Sequence, residues 1–253
     1  TIKDYRSHQR KKILFADLAP LVPPLRAMFD GAQDYDLFKS NGEEFLRLYR
    51  EVCELRPDER MLDVGCGLGR KTLPLTQYFD QRATYEGIDN TKAGIDWCRG
   101  KITPKFPQFR FRHVDVYNKH YNPKGTIPAA EFRFPFDDRS FSFVMLGSVF
   151  THMLPGEVEN YLSEIYRVLM IGGRCLITYF LLNKDSLQFM EVGKSTLNFK
   201  HCFDKYRAVS RQNPGKAIAL DEEWMTGLYE KVGLDIVRTE YGSWCERTKY
   251  LTF

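Results

Sequence analysis

The segment Met61-Leu62-Asp63-Val64-Gly65-Cys66-Gly67-Leu68-Gly69 organises the reading of everything around it. Arg60 to Val64 reads as a short apolar strand that runs into glycines at alternate positions. Glycine there lets the backbone turn sharply and approach a ligand with no side chain in the way. Arg70 to Phe79 has helical spacing. A helix beginning there would turn free N–H groups and a positive dipole end toward a carboxylate or phosphate. A dinucleotide fingerprint would read GxGxxG; here the spacing is GxGxG, and Arg70 takes the place of the last glycine.

Moving outward, strand and helix patterns alternate. Tyr85–Asp89 reads as a second strand and Thr91–Ile102 as a second helix. Phe109–Val116 is a strand containing Asp115, and 117–139 is a long loop rich in Pro, Asn, Lys and Gly. Phe141–Leu146 is a buried strand, Glu157–Leu169 an amphipathic helix capped by Gly172-Gly173, and Arg174–Phe180 a further strand. This alternation predicts an α/β fold, a parallel sheet with helices on both faces. Residues 183–220 are too long for a simple connection and read as an irregular cap inserted in the domain. Glu222–Val232 is a helix stopped by Gly233, Leu234–Tyr241 another strand, and Leu251-Thr252-Phe253 the start of a last one. Upstream, Phe45–Cys53 is helical. The expected division is an N-terminal arm or lid, 1–44, and a main domain, 45–253.

Composition narrows the function classes. The chain has 253 residues, 43% hydrophobic and 28% charged, enough for one full core and unlike a disordered chain. No apolar run approaches the roughly 18 residues of a membrane span. Lys+Arg 37 against Asp+Glu 33 gives +4, which does not mark a nucleic-acid binder. None of the six cysteines forms a CxxC pair, which argues against a zinc ribbon and suits reduced thiols in a cytoplasmic setting. The basic residues Lys3, Arg6, Arg10, Lys11 and Lys12, followed by Ile13-Leu14-Phe15, read in one of two ways. They form a lid or membrane-surface anchor, or a solvated arm that packs its apolar residues on the core.

Asp89 ends the second predicted strand, and an acid there can accept both ribose hydroxyls of a nucleoside. Asp115, near the end of the third, is placed to accept from an adenine amino group. Taken singly, these read as a helix-capping and a turn-forming Asp. With the glycine loop they form one carboxyl-end crevice.

At this point the sequence resembles the class I S-adenosylmethionine-dependent methyltransferases, particularly their bacterial small-molecule group. The resemblance runs from about residue 45 to 182 and more weakly through 222–253. Leu62–Gly69 is similar to the family's first motif and Gly87-Ile88-Asp89 to its second. Phe134-Pro135-Phe136-Asp137-Asp138-Arg139-Ser140-Phe141 resembles its lead into the fourth strand, and Ile165–Gly173 its approach to the fifth. Ser142 stands where an Asp is frequent, and Met170-Ile171 where Lys-Pro is frequent. The resemblance implies a Rossmann-like doubly wound sheet of order 3-2-1-4-5-7-6 with strand 7 antiparallel, completed by chain beyond Phe253. It implies S-adenosylmethionine as cofactor, its methionine part held by Asp63 and the backbone of Gly65, Gly67 and Gly69, with Cys66 in the same loop. It assigns the ribose to Asp89, beside Asn90, and the adenine to Asp115 and the backbone of Val116.

The run Gly147-Ser148-Val149-Phe150-Thr151-His152 follows the fourth strand, near the transferred methyl in this fold. An alcohol acceptor must lose its proton, and the near-neutral imidazole of His152 suits that task. Its other reading is a structural histidine ordering the loop. Phe150 packs against cofactor or belongs to the core. Tyr117 and Tyr121 are candidate walls of the acceptor pocket. His120 and His152 with these tyrosines follow no known ligand spacing, so no metal is expected. The expected function is methyl transfer to a small-molecule acceptor, by expectation a hydroxyl of a sugar or other metabolite, without nucleic acid. The competing readings are a lipid or macromolecular acceptor, a non-catalytic cofactor-binding subunit, and a nicotinamide oxidoreductase.

Overall fold

The structure, a computed structural model, describes residues 18–28, 34–242 and 244–245. The basic residues 3–12, the apolar 13–15 and the expected last strand at 251–253 lie outside these. The chain divides into two compact units, Thr1–Val114 and Asp115–Phe253. The fold class is α/β, Rossmann-like, as the sequence led us to expect.

In the first unit, α1 (Tyr35–Glu51) begins at Asp34, whose carboxylate accepts from Leu37 N at 2.7 Å. It buries Phe38, Phe45, Leu48 and Tyr49 on one face and passes through residues 44 and 45 without a break. Gly42 in its middle costs about 1 kcal/mol of helix propensity. The gain is closeness: a Cβ there would stand 2.7 Å from Arg70 O. β1 (Arg60–Val64), β2 (Thr84–Asp89) and β3 (Phe109–His113) are parallel, in the order β3-β2-β1. Asp63 pairs with Gly87, and Asp89 with His113. Asp115 lies beyond the end of β3, which is shorter than the sequence suggested. α2 (Lys92–Lys101) buries Ile95 and Cys98. In the residues ahead of α1, Leu18 and Leu21 are buried, and Trp97 Nε1 of α2 donates to Leu21 O at 3.3 Å. Leu18 and Leu21 of this stretch thus pack on the first unit, while Leu25 is exposed.

The second unit holds β4 (Phe141–Gly147) parallel to β5 (Leu169–Thr178), with α3 (Pro155–Val168) leading directly into β5. Arg167 of α3 forms a two-point pair with Glu164 and donates to Phe134 O, Phe136 O and Asp138 Oδ1 at 2.8–3.0 Å. It thereby fastens the approach to β4.

Three expectations are corrected. Arg70–Phe79 is not an α-helix: turns lead into a short 3₁₀ segment, Leu73–Gln77, because Pro74 lacks an N–H and cannot sit inside an α-helix. The cap is ordered rather than irregular. β6 (Phe180–Leu182), α4 (Lys184–Glu191), β7 (His201–Cys202), β8 (Tyr206–Ala208) and β9 (Ile218–Asp221) build a second sheet of order β6-β9-β8-β7. That sheet closes on its own apolar cluster of Leu182, Phe199, Ala217, Ala219, Trp244 and Cys245. Finally, after α5 (Glu222–Val232) and the left-handed Gly233, residues 234–242 form no strand. Val237 is 95% exposed and Ile236 47%, so the segment buries no apolar face to fix a register. Among the described residues, strands 6 and 7 of the expected order are therefore not present. No helix among them is long and apolar enough to cross a membrane.

Candidate active site

The glycine loop in the first unit is built on positive φ at Gly65 (83°), Gly67 (55°) and Gly69 (80°), a region side chains disfavour. Its amides are largely committed within the protein. Gly65 N and Cys66 N donate to Ile88 O, Gly67 N donates to Asp89 Oδ2 at 2.8 Å, and Gly69 N donates to Cys66 O. Without an α-helix behind it, the loop is not the dipole-backed anion site the sequence suggested. It offers acceptors instead.

Asp63, at the end of β1, is fully buried. Its Oδ2 accepts from Tyr85 Oη at 2.7 Å, while its Oδ1 is buried with no hydrogen-bond partner. A buried unsatisfied acceptor costs about 1–3 kcal/mol, so an atom of this kind marks a place where a donor is missing. Burial raises the Asp63 carboxyl above its ordinary value, against the pull of Lys71 and the Tyr85 hydroxyl. Lys71 is itself buried, with its ammonium over the Phe45 ring at 5.0 Å. Sequence reasoning missed Lys71 and Tyr85.

Asp89 is likewise buried and its carboxyl raised, first by desolvation. Oδ1 accepts from the Thr91 amide at 2.7 Å and from the Thr91 hydroxyl, and Oδ2 accepts from Gly67 N. Asp89 thus ties the glycine loop to Thr91, the residue that precedes α2. Oδ2 can accept once more, which leaves it open to one ribose hydroxyl, while Oδ1 already accepts twice. The Asn90 carbonyl accepts from His113 Nε2 at 3.1 Å. The Cys66 thiol is buried and pushed far up, an inert packing group.

The remaining sequence candidates lie in the second unit. Asp115 is engaged by its own loop: Oδ2 accepts from Thr126 Oγ1 at 2.6 Å and Thr126 N at 3.2 Å. Val116 is buried and bridges to Ile127; the Tyr117 side chain is exposed. Phe150 is fully buried, its ring 6.0 Å from Tyr179, and packs as core. His152 ends a 3₁₀ turn, Phe150–His152, that follows β4. Its Nδ1 donates to Gly215 O at 3.0 Å, which leaves Nε2 as the basic atom of the neutral ring. Burial lowers its pKa below the ordinary histidine value, partly opposed by the Gly215 and Lys216 backbone. Tyr121 lies edge-on to the imidazole at 5.7 Å. The structure therefore unites His152 with Tyr121. Ser148, not singled out from sequence, adopts φ 64° and donates its amide to Thr178 Oγ1 at 2.9 Å. This left-handed non-glycine residue aims the chain from β4 into the His152 turn, and such strain concentrates at functional sites.

Residues 62–177 match the methyltransferase domain family, a span containing the glycine loop, both buried aspartates and His152. Over this span, a little under half of the chain, the protein is similar to methyltransferase domains. The chain is similar to the carboxy-S-adenosyl-L-methionine synthase of Salmonella arizonae, 26% identical over 160 residues. That match covers 62% of this chain and 56% of the relative. It is also similar to the O-methyltransferase cnsE of Penicillium expansum, 32% identical over 136 residues, 52% of this chain and 42% of the relative. The chain thus spans about half the length of these curated relatives. Among solved structures, the PH0226 protein of Pyrococcus horikoshii is similar in fold, with a TM-score of 0.53. The two are 17% identical, over 79% of this chain and 82% of that one.

Proposed function

We propose that this protein binds S-adenosylmethionine in its first unit and catalyses transfer of the methyl group to a hydroxyl of a small molecule, with His152 as general base. The observation that carries the reading is the orphaned Asp63 Oδ1 beside a loop offering acceptors. The cofactor's amino-acid end bears an ammonium that needs such acceptors, so the residues present fit it. When bound, the cofactor supplies a methyl already activated on a sulfonium. The protein's share is orientation, exclusion of water and proton removal. Asp63 accepts from the ammonium, and Gly65, Gly67 and Gly69 let the backbone come close. Asp89 Oδ2 would take a ribose hydroxyl on its remaining lone pair. Asp115 and the Val116 backbone are assigned to the adenine. His152 Nε2 removes the acceptor's hydroxyl proton, with Tyr121 as a pocket wall.

Isothermal titration with S-adenosylhomocysteine, joined to a mass-spectrometric screen of metabolite pools for products one methyl heavier, tests this. Binding that disappears in Asp63→Ala, and turnover that disappears in His152→Gln while binding persists, is the expected result. No binding at millimolar ligand sinks the cofactor reading. Undiminished turnover in His152→Gln sinks the base.

A further inference from the structure

Residues 116–130 contain Lys119, His120 and Lys124 and no acid; residues 205–220 contain Lys205, Arg207, Arg211 and Lys216 and no acid. The fold of the second unit pins these two stretches together around His152. Asn213 Nδ2 donates to His120 Nε2 at 2.8 Å. Two residues on, Gly215 O holds His152 Nδ1 at 3.0 Å, and Tyr121 covers the same ring. Lys119 and His120 are therefore within two residues of Tyr121 in one stretch, and Arg211 and Lys216 are within two residues of the pins Asn213 and Gly215 in the other.

Pairing separates these cations from their neighbours. Lys205 approaches Glu159 at 3.9 Å and lies over the Trp224 ring, so it is engaged elsewhere. Lys119, Lys124, Arg211 and Lys216 are exposed, and among the described residues none of them has an ion-pair partner. Uncompensated like charges around a partly buried group raise a positive potential there and draw in anions.

The geometry points to an acceptor subsite for an anionic small molecule, its carboxylate or phosphate held by Arg211, Lys216, Lys119 and His120 while its hydroxyl meets His152. This inference rests on the methyl-transfer reading and narrows its substrate class. Arg211 is suited to a two-point grip on either anion, and the lysines act as point charges.

The test is a titration of the full chain with inorganic phosphate, and separately with acetate, at constant ionic strength and pH. It is read from the ring-proton NMR signals of His120 and His152, assigned with His120→Gln and His152→Gln. A saturable response of both signals to at least one anion is expected, and the tighter of the two names the acceptor class. The double variant Arg211→Gln/Lys216→Gln should raise the half-saturating concentration at least about tenfold, and Lys205→Gln should leave it unchanged. Linear drift, an equal response to chloride, or equal weakening in Lys205→Gln overturns the subsite. So does binding of heparin alone, which would indicate a polyanion surface. Retained S-adenosylhomocysteine binding shows that each variant is folded. Cofactor binding without a saturable anion response overturns the subsite and leaves the function. An anion response without cofactor binding does the reverse.

Discussion

The Tyr85 hydroxyl lies 2.7 Å from Asp63 Oδ2 and 2.7 Å from Thr72 Oγ1, joining β2 to the end of β1 and to the segment after the glycine loop. One phenol thus decides which Asp63 oxygen is satisfied and which is left for a ligand. It also helps keep a buried carboxyl in its charged form, since the bond it donates opposes the upward push of burial. The proposed cofactor site would thus depend on a side chain that itself need not touch the cofactor.

Tyr85→Phe removes that donor and changes little else in volume. Loss of one bond to a buried carboxylate should destabilise the protein by about 1–3 kcal/mol. The Asp63 carboxyl then rises further, and S-adenosylhomocysteine affinity should fall about tenfold or more. Denaturant melts and titration calorimetry measure the two effects. Unchanged affinity would detach Tyr85 from the site.

Asp63→Asn separates stability from binding. The buried charge is removed and Tyr85 can still donate to the amide oxygen, but the amide NH2 then stands in place of Oδ1 as a buried donor without an acceptor. The two effects offset, so the free protein should change by less than about 1 kcal/mol, or about 2–4 °C in Tm for a chain of this size, while cofactor binding is lost. The pH dependence follows from the sign of the shift. With the folded value raised, the folded state binds more protons between the ordinary and the raised pKa. The stability cost is therefore fully present above the raised value and is relieved as pH falls through it. Asp63→Asn should show a smaller gain on mild acidification than the wild type.

His152 has the opposite linkage. Its lowered value keeps the ring neutral, and Nε2 basic, at pH values below the ordinary histidine range of about 6.5. The acid limb of kcat should therefore fall below that range, and His152→Gln should remove it along with most turnover. Stability should also decline as pH drops from the unfolded value through the folded one, because the unfolded chain then binds the extra proton. An acid limb above about 6.5 would exclude His152 as the base.

Arg167→Ala tests the scaffold. The change leaves Glu164, which also accepts from Phe134 N at 2.7 Å, buried without its cation, and it frees the carbonyls of Phe134 and Phe136. A loss of about 3 kcal/mol is expected in denaturant melts, with S-adenosylhomocysteine affinity nearly unchanged in the protein that remains folded.

Much of this protein was legible as one-dimensional pattern. β1, β2, α2, β4 and α5 fall where period and turn residues put them, because a strand's alternation and a helix cap are local. Misreadings arose where a longer-range fact competed. Pro74 withheld an α-helix that the apolar spacing invited. Residues 234–241 have the composition of a strand, yet their apolar side chains face solvent. The cap looked irregular because short strands such as His201–Cys202 carry almost no period of their own and are defined only by their partners.

The amino-acid order alone determined the α/β class, the glycine turn and the two acidic strand ends, since each depends on residues adjacent in the chain. Only the tertiary structure decided what those residues face. The unsatisfied oxygen of Asp63 exists because β2 delivers one phenol and no second donor. The tautomer of His152 is set by a carbonyl 63 residues away. Hydrogen-bond satisfaction and burial belong to groups brought together from distant parts of the chain, and no local spacing encodes them.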